Sequence, residues 1–299
     1  VGLSTAYKIQ KNFPKKNILL LEKEKELAFH QSGRNSGVLH SGLYYKPGSY
    51  KAKNCVNGRE QLVDFAKKNN IKHDVCGKIV VAVDEQEKKQ LPNLLKRGYE
   101  NGLSGLKLIN EKEIKEIEPF IKGLQAIWVP QTGIIDYKQV ARCLKEKILK
   151  INNQSQIITN CEVMNNNKSS IITNRGLFNA NNFIFCGGLF SDRLAKKDNL
   201  KLDLKIVSFR GEYYQLKNES KYKINNLVYP VPNPEFPFLG VHFTRMTDGN
   251  IECGPNAVFT FKREGYKKAD FNLKDTLDSL SYPAIWKLFF KHWRFGLNE

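Results

Sequence analysis

Two elements near the start of the chain constrain the fold most: a helix that begins with a glycine, and a strand that is followed by an acidic residue. Gly2 opens a run of small residues with helical character, and the apolar segment 17–21 has strand length and is followed by Glu22. A dinucleotide-binding βαβ unit needs a glycine where helix and strand pack closely, and an acid about 20 residues later that binds ribose hydroxyls. Glu22 lies twenty positions after Gly2. The spacing fits such a unit, with a chance coincidence of the two residues as the alternative.

A second pair of glycines follows an apolar segment later in the chain. Residues 183–185 have strand character, and Gly187 and Gly188 precede a predicted helix. Glycines at such a junction let the backbone approach a bound nucleotide closely. An ordinary strand-to-helix turn would show the same pattern. Together with Gly2 and Glu22, the pair predicts a two-part cofactor cradle. The acid argues against NADP and does not separate NAD from FAD.

The predicted elements mix helices with strands. Helical patterns cover residues 2–11, 51–69, 85–101, 111–118, 137–150 and 284–293. Short apolar runs predict strands at 17–21, 78–83, 157–159, 161–163, 170–173 and 183–185, and the segment 206–261 is mostly strand and turn. Interleaved helices and strands followed by a strand-rich region are typical of an α/β core with an inserted mixed or antiparallel sheet.

The composition describes a globular and strongly basic chain. Hydrophobic residues make up 41% of the 299 residues, and 48 basic residues outnumber 30 acidic ones, for a net charge of +18. Such a surface attracts nucleic acid, anionic lipid or acidic small molecules. The lysines are spread along the chain, however, and no RNA-binding signature accompanies them. We expect a solvated basic surface and no nucleic-acid partner; a nucleic-acid or membrane-surface binding protein is the different-class alternative.

The cysteines indicate neither a disulfide framework nor a metal site. Six are scattered along the chain, and no CxxC pair occurs among them. This pattern is typical of free thiols in a reducing compartment. His73 and Cys76 form the nearest approach to a ligand pair, and two ligands without a second pair make a poor zinc site. We expect no metal and a cytoplasmic location, with peripheral contact at the inner face of a membrane left open.

The two ends of the sequence have the appearance of internal segments. Residue 1 is a valine at the opening of a helix, and the apolar pattern of 284–293 has no capping glycine or proline after it. We therefore expect this chain to be a piece of a longer protein, so the lack of a targeting segment carries no information.

The run from His30 to Gly42, HQSGRNSGVLHSG, resembles the flavin-proximal loop of L-2-hydroxyglutarate dehydrogenases. These enzymes are members of the glycine/D-amino-acid oxidase-like superfamily of FAD-dependent oxidoreductases. Arg34 occupies a position where we expect histidine, although the flanking positions match. Further blocks that resemble the family are residues 44–49, 76–78, 130–137, 209–213, 237–244, 254–257 and 261–266. The resemblance thus covers nearly the whole chain, although the family's members extend beyond it at both ends.

The resemblance implies that L-2-hydroxyglutarate is oxidised to 2-oxoglutarate by hydride transfer to flavin N5. It implies a discontinuous Rossmann-like FAD-binding domain, residues 1–75 and 139–205, with an inserted substrate domain, residues 76–138 and 206–299. Another oxidoreductase of the same superfamily, acting on glycerol 3-phosphate or an amino acid, is the alternative. The electron acceptor, a quinone or oxygen, is left open.

His40, at the end of the flavin-proximal loop, is the candidate catalytic base. A neutral histidine suits the removal of a hydroxyl proton because its ordinary pKa lies near working pH. A histidine that only hydrogen-bonds the flavin or shapes the loop is the rival interpretation, and His30 fits that description better. The candidate cofactor-binding residues are Gly2, Glu22, Lys23, Asn35, Ser36, Gly37, Val163, Gly187 and Gly188. Among them, Val163 resembles a position whose backbone contacts adenine in this superfamily.

A five-carbon dicarboxylate needs cations or several hydrogen-bond donors at each end. Arginine fits best, because its planar fork donates two bonds to one carboxylate. Arg210 and Arg245 are the candidates in the family-like blocks, with Tyr213, His242 and Thr244 as polar neighbours. Each could instead be a surface or sheet-edge residue, and we expect about half of them to contact substrate.

Overall fold

Helices alternate with short strands in the computed structural model, which describes residues 1–167, 169–232 and 240–298, with side chains described as far as residue 293. Residues 237–239 of the family-like block 237–244 lie outside the described residues. The helices are α1 (Gly2–Asn12), α2 (Tyr50–Lys68), α3 (Glu85–Lys88), α4 (Leu91–Glu100), α5 (Glu111–Ile117), α6 (Tyr137–Ile151), α7 (Ser191–Lys197), α8 (Leu273–Leu280) and α9 (Pro283–Asn298).

The strands are mostly short. They are β1 (Leu19–Leu21), β2 (Val38–Leu39), β3 (His73–Asp74), β4 (Lys78–Ala82), β5 (Lys107–Asn110), β6 (Gln125–Val129), β7 (Gly133–Ile135), β8 (Gln156–Ile158), β9 (Val163–Asn166), β10 (Ser170–Thr173), β11 (Gly176–Asn179), β12 (Phe209–Gln215), β13 (Leu227–Pro230), β14 (His242–Arg245) and β15 (Ile251–Phe259). Short 3-10 helices cover Gly188–Phe190 and Asn218–Lys223.

The chain divides into two compact units. The first unit comprises Val1–Phe29, Ala141–Gly211 and Ala257–Glu299, and the second comprises His30–Val140 and Glu212–Asn256. In the first unit β1 pairs in parallel with β8, and β9, β10 and β11 form an antiparallel sheet. The assignment of residues 1–75 and 139–205 to FAD and of 76–138 and 206–299 to substrate stays a prediction.

A mixed sheet dominates the second unit. Its strand order is β12-β15-β14-β13-β4-β6-β5, with β13 and β4 parallel and β13–β14, β14–β15, β4–β6 and β5–β6 antiparallel. A smaller sheet has the order β2-β7-β3. Alternate residues of β4 face opposite ways: Val80 and Ala82 join one apolar cluster with Leu227 and Tyr229, while Ile79 and Val81 join another. The predicted combination of helices with mixed sheets is confirmed.

Three local predictions need correction. The helix predicted over 85–101 is two helices, because Pro92 lacks an amide hydrogen and is tolerated only in the first turn of a new helix, α4. Residues 183–185 form no strand, since no described segment pairs with them, and Ile184 is exposed. The strand predicted at 161–163 begins only at Val163, after Asn160 with φ of 50°.

Within the described residues, no helix combines the length and the apolar character that a bilayer crossing demands.

Candidate functional site

The end of β1 holds the predicted ribose-binding acid. The Glu22 amide donates to the Ile158 carbonyl of β8 at 2.9 Å, and one Glu22 carboxylate oxygen accepts from the Glu24 amide at 2.9 Å. The other carboxylate oxygen has no hydrogen-bond partner in the described part of the chain. A Cβ at Gly2 would lie 3.4 Å from the Cys186 Cβ, an ordinary contact. The protein itself therefore leaves room at Gly2, and the acid keeps one oxygen for a ligand.

Packing within the first unit accounts for the other predicted glycines. A Cβ at Gly187 would lie 2.4 Å from the Leu194 Cδ1 atom, so the flexible Leu194 side chain would have to move to admit one. Gly188 has φ of 55° and begins the 3-10 helix before α7. The turn therefore favours glycine at position 188 and the Leu194 packing favours it at position 187, so the two glycines give no independent sign of a nucleotide.

Lys23 and Val163 are already engaged within the first unit. The Lys23 ammonium pairs with Glu24 at 2.7 Å and with Glu264, and it lies 5.0 Å from the centre of the Phe190 ring. Burial opposes the charge, but the two acids outweigh it and raise the pKa of Lys23. The Val163 carbonyl accepts from the Lys197 ammonium at 3.4 Å.

The flavin-proximal loop is held by its own polar groups. Asn35 donates to the carbonyls of Gln31 and Ser32 at 2.7 and 2.9 Å and accepts from the Gly37 amide at 2.7 Å. Gly37 has φ of 70°, and a Cβ there would meet the Ile135 carbonyl oxygen at 2.7 Å. Because L side chains rarely adopt that conformation, the turn requires glycine and delivers the chain into β2.

Ser36 and Tyr213, both in the second unit, contact each other, and Ser36 also contacts the carboxylate of Glu252. The Ser36 hydroxyl donates to the Glu252 carboxylate at 3.0 Å, and Tyr213 is hydrogen-bonded with Ser36. Burial raises the pKa of Glu252, while the hydroxyl of Ser36 acts in the opposite direction. The structure therefore joins one predicted cofactor residue and one predicted substrate residue to an acid that the sequence did not single out.

His40 follows β2 directly and borders a small cavity. The cavity is lined by His40, Ser41, Gly42, Leu43, Tyr44, Tyr45 and Lys78, and its volume of about 10 Å³ has room for about one oxygen-sized group. Although His40 is exposed to solvent, the surrounding protein removes much of its hydration. This desolvation, with repulsion from Lys78 and His242, lowers the pKa of His40 to about 4. The imidazole is therefore neutral near pH 7 and able to accept a proton.

Lys78 is a site residue that the sequence did not reveal. It begins β4 and is 1% exposed. Its ammonium donates to the Tyr44 hydroxyl at 3.4 Å and lies 4.4 Å and 4.8 Å from the ring centres of Tyr44 and Tyr229. Desolvation lowers the pKa of Lys78 to about 7. The one available signal was a lysine at the head of an otherwise apolar strand, which ordinarily indicates an exposed strand end.

His242 and Thr244 both lie on β14, and His242 is close enough to Lys78 to be affected by its charge. The His242 ring stacks on Tyr229 with ring centres 4.0 Å apart, and its Nδ1 atom donates to the Gly240 carbonyl at 2.9 Å. Desolvation lowers the pKa of His242, although the Gly240 carbonyl opposes the shift. The Thr244 hydroxyl is fully buried next to Tyr229, which it contacts too loosely to form a hydrogen bond of ordinary geometry; no other described residue offers it a partner. We call these side chains the polar cluster: His40, Tyr44, Lys78, Tyr229, His242 and Thr244.

The two predicted arginines have hydrogen-bond and ion-pair partners outside the polar cluster. Arg245 forms a salt bridge with Asp74 of β3. Arg210 lies in the first unit, where its guanidinium donates to the Lys267 carbonyl at 3.0 Å. Of the predicted substrate residues, the structure groups His242 and Thr244 with His40. Burial raises the pKa of the Tyr229 phenol in the polar cluster, and Tyr213 lies close enough to it to contribute to that rise.

Comparison with known proteins now fixes the family. Residues 1–289 match the model of the DAO family, described as FAD dependent oxidoreductase. The chain belongs to this family. It is 49% identical to the L-2-hydroxyglutarate dehydrogenase of Indibacter alkaliphilus, covering 100% of this chain and 76% of that protein. It is 40% identical to the mitochondrial L-2-hydroxyglutarate dehydrogenase of Homo sapiens, covering 100% and 68% of the two chains. The predicted family, FAD dependence and oxidoreductase activity are confirmed.

Solved structures agree with this placement in the FAD-dependent oxidoreductases. FAD-bound L-alpha-glycerophosphate oxidase of Mycoplasma pneumoniae has a TM-score of 0.80 and 26% identity, covering 91% of this chain and 73% of that one. Glycine oxidase of Geobacillus kaustophilus shares the fold, with a TM-score of 0.74, 16% identity, and coverage of 88% and 70%. The chain's own residues fit the FAD that this family binds, because Glu22 stands at the end of a parallel strand and has one carboxylate oxygen without a partner among the described residues, which is what a ribose-binding acid needs.

Proposed function

We propose that the protein containing this chain oxidises L-2-hydroxyglutarate to 2-oxoglutarate. The observation that carries the proposal is the neutral His40 beside a buried cation at one cavity, in a chain 49% identical to an L-2-hydroxyglutarate dehydrogenase. A base next to a positive charge suits a substrate that carries a hydroxyl and a carboxylate on one carbon. The basic net charge would also favour the approach of a dianion.

In the proposed reaction His40 receives the hydroxyl proton of the substrate. The carbon that bears the hydroxyl loses its hydrogen as a hydride, and the C–O bond becomes the carbonyl of 2-oxoglutarate. When bound, FAD supplies the hydride acceptor at its N5 atom. Since the pKa of His40 is lowered to about 4, the imidazole is unprotonated before the reaction and its nitrogen lone pair is open to the proton, although the low pKa makes it a weaker base than an ordinary histidine.

We propose that the cofactor residues are those predicted from the sequence. The free oxygen of Glu22 would accept from a ribose hydroxyl, and the Val163 backbone would contact adenine. The loop that ends at His40 would lie along the flavin, with its shape set by Asn35 and Gly37. The full proposed set is Gly2, Glu22, Lys23, Asn35, Ser36, Gly37, Val163, Gly187 and Gly188.

For the substrate we propose Arg210, Tyr213, His242, Thr244 and Arg245. The support differs among them. Thr244 has an unengaged buried hydroxyl, and His242 borders the same lysine as His40. Arg245 would have to share its guanidinium between Asp74 and the substrate.

The electron acceptor and the location are further proposals. We propose a quinone or oxygen as acceptor, and a cytoplasmic protein with peripheral contact at the inner face of a membrane. The net charge of +18 supports such contact through attraction to anionic lipid. Co-sedimentation with anionic vesicles at low and high salt tests it, and salt-independent absence of binding would contradict it.

The test of the proposed function is anaerobic reduction of the flavin in the purified natural protein. We expect the L form of 2-hydroxyglutarate, and not the D form, to bleach the flavin band at about 450 nm. Bleaching by L-alpha-glycerophosphate or an amino acid alone would overturn the substrate.

Replacement of the base should slow this reduction severely. Asparagine at position 40 keeps a polar group that cannot accept the proton, so we expect H40N to reduce its flavin about 10²–10⁴-fold more slowly in stopped-flow measurements. The matched control is H73N, which replaces a histidine of β3 that is hydrogen-bonded to the Ile71 carbonyl. Equal rates for H40N and the wild type, at equal flavin content, would remove His40 from the reaction.

A further inference from the structure

Lys78 occupies a position in the sheet where its neighbours on the same face are apolar. Alternation along β4 places it on the same face as Val80 and Ala82, which belong to an apolar cluster. Its backbone pairs with Leu227 of β13 on one side and Val129 of β6 on the other. The side chain is consequently enclosed by sheet and loop residues, and only 1% of the residue is exposed.

The charge of Lys78 has no acid to balance it. No carboxylate in the described part of the chain forms an ion pair with its ammonium. Its hydrogen-bond partner is the Tyr44 hydroxyl, and the rings of Tyr44 and Tyr229 offer cation–π contacts. Burying an unpaired ammonium is strongly unfavourable, and aromatic rings compensate only part of that loss. An anionic group of a bound ligand would therefore stabilise the folded protein by pairing with this ammonium.

The cavity next to Lys78 is where such an anion would bind, because none of the described ionisable groups around it is a carboxylate. Lys78 and His40 line the same cavity, which has room for about one oxygen-sized group. The ionisable groups that act on Lys78 or are acted on by it are His40, Tyr44, Cys55, Tyr229 and His242. Each is neutral or cationic in its ordinary protonation state near pH 7, so none competes with an incoming carboxylate.

We propose that the Lys78 ammonium binds the substrate carboxylate attached to the carbon that is oxidised. This inference rests on the proposed function. The hydroxyl and this carboxylate are substituents of one carbon, so the base and the carboxylate anchor must be neighbours, as His40 and Lys78 are at one cavity. The anchor forms its ion pair with the ligand because the protein supplies no acid of its own.

The proposal makes carboxylate binding depend on pH. A bound carboxylate favours the charged lysine, so the affinity is highest where the ammonium is already protonated. Since the pKa of the ligand-free lysine is about 7, affinity falls as the pH rises above 7, by up to about tenfold per pH unit. At pH 8 the wild type takes up close to one proton on binding. His40, whose pKa is about 4, does not titrate in that range.

The experiment uses the flavin-loaded natural protein and two product-like ligands. Dissociation constants for 2-oxoglutarate and for the monocarboxylate 2-oxobutyrate are read from changes in flavin absorbance at pH 6.5. K78M should weaken both ligands at least about tenfold, because each carries the carboxylate beside the keto carbon. K107M, which removes an exposed lysine of β5 in the same sheet, should bind both ligands like the wild type.

Each outcome decides the proposal. Wild-type affinities in K78M would overturn it, and so would weakening of 2-oxoglutarate alone, because that would assign Lys78 to the distant carboxylate. Should K78M lose its flavin, calorimetry of wild-type binding in two buffers at pH 8 still decides: proton uptake supports the proposal, and its absence overturns it. Failure of L-2-hydroxyglutarate to bleach the wild-type flavin would instead break the proposed function, whatever these ligands do.

Discussion

Arg263 in the first unit and Lys78 in the second are both strongly enclosed cations, but the protein surrounds them with opposite kinds of partner. In the first unit the Arg263 side chain is 3% exposed and pairs with Asp192 and Asp278, and its guanidinium also donates to the carbonyls of Leu189 and Ile206. In the second unit Lys78 is equally enclosed, yet has a phenol and two ring faces around it. A compensated cation belongs to the scaffold, whereas an uncompensated one at a cavity is available to a ligand.

Removing the compensated cation should have the largest effect on stability. In R263M the Asp192 carboxylate, itself 2% exposed, would lose its guanidinium partner. We expect the free energy of unfolding of the flavin-loaded protein in urea to fall by roughly 3–5 kcal/mol. R142M, which replaces an exposed arginine of α6, should change it by less than about 0.5 kcal/mol. A small effect of R263M would show that the ion pairs of Arg263 with Asp192 and Asp278 do not stabilise the fold.

Removing the uncompensated cation should act in the other direction. K78M should raise the free energy of unfolding by roughly 1–3 kcal/mol near pH 6, because it removes a buried group with few polar partners. The folded-state pKa is about 7 and the unfolded one about 10.5, so the unfolded chain holds more protons between these values and the wild type gains stability as the pH rises through that window. The advantage of K78M should therefore shrink from pH 7 towards pH 10.

Urea unfolding at several pH values checks this dependence. A K78M protein that is less stable than the wild type at pH 6 would mean that Lys78 supports the fold, and the contrast between the two cations would disappear.

The smallest effect is expected at Thr244. Its buried hydroxyl forms no hydrogen bond of ordinary geometry within the described residues, so T244V, which preserves shape, should leave the free energy of unfolding unchanged or raise it by up to about 1 kcal/mol. If the hydroxyl contacts substrate, the same variant weakens 2-oxoglutarate binding. A clear loss of stability would show that the hydroxyl has a structural partner.

The elements that could be predicted were those with local signals. The apolar run of β4 and the helical periodicity of α2 and α6 gave bounds within a residue or so of the observed ones. One continuous helix is predicted over 85–101 because the helical spacing of apolar residues continues across Pro92. That prediction neglects the missing amide hydrogen of the proline, which a helix interior requires. Residues 183–185 were predicted as a strand from their apolar character, but a strand also needs a partner, which the sequence of the segment does not supply.

The site residues likewise divide into those with a local sequence signal and those without one. His40 was identified through a family-like loop whose shape depends on nearby residues, Asn35 and Gly37. Lys78 was overlooked as a site residue because its burial depends on Tyr229 of β13, far away in the sequence. The partners of Arg210 and Arg245 likewise come from other segments, Lys267 and Asp74. Long-range pairing, rather than residue type, decided which predicted residues share one place.

The most direct measurement is a crystal structure of the flavin-loaded natural protein with 2-oxoglutarate bound. Our account predicts that an oxygen of the carboxylate next to the keto carbon lies within hydrogen-bond distance of the Lys78 ammonium, with His40 beside the keto oxygen. A ligand whose carboxylates are both held elsewhere, with Lys78 still enclosed by Tyr44 and Tyr229 alone, would contradict it.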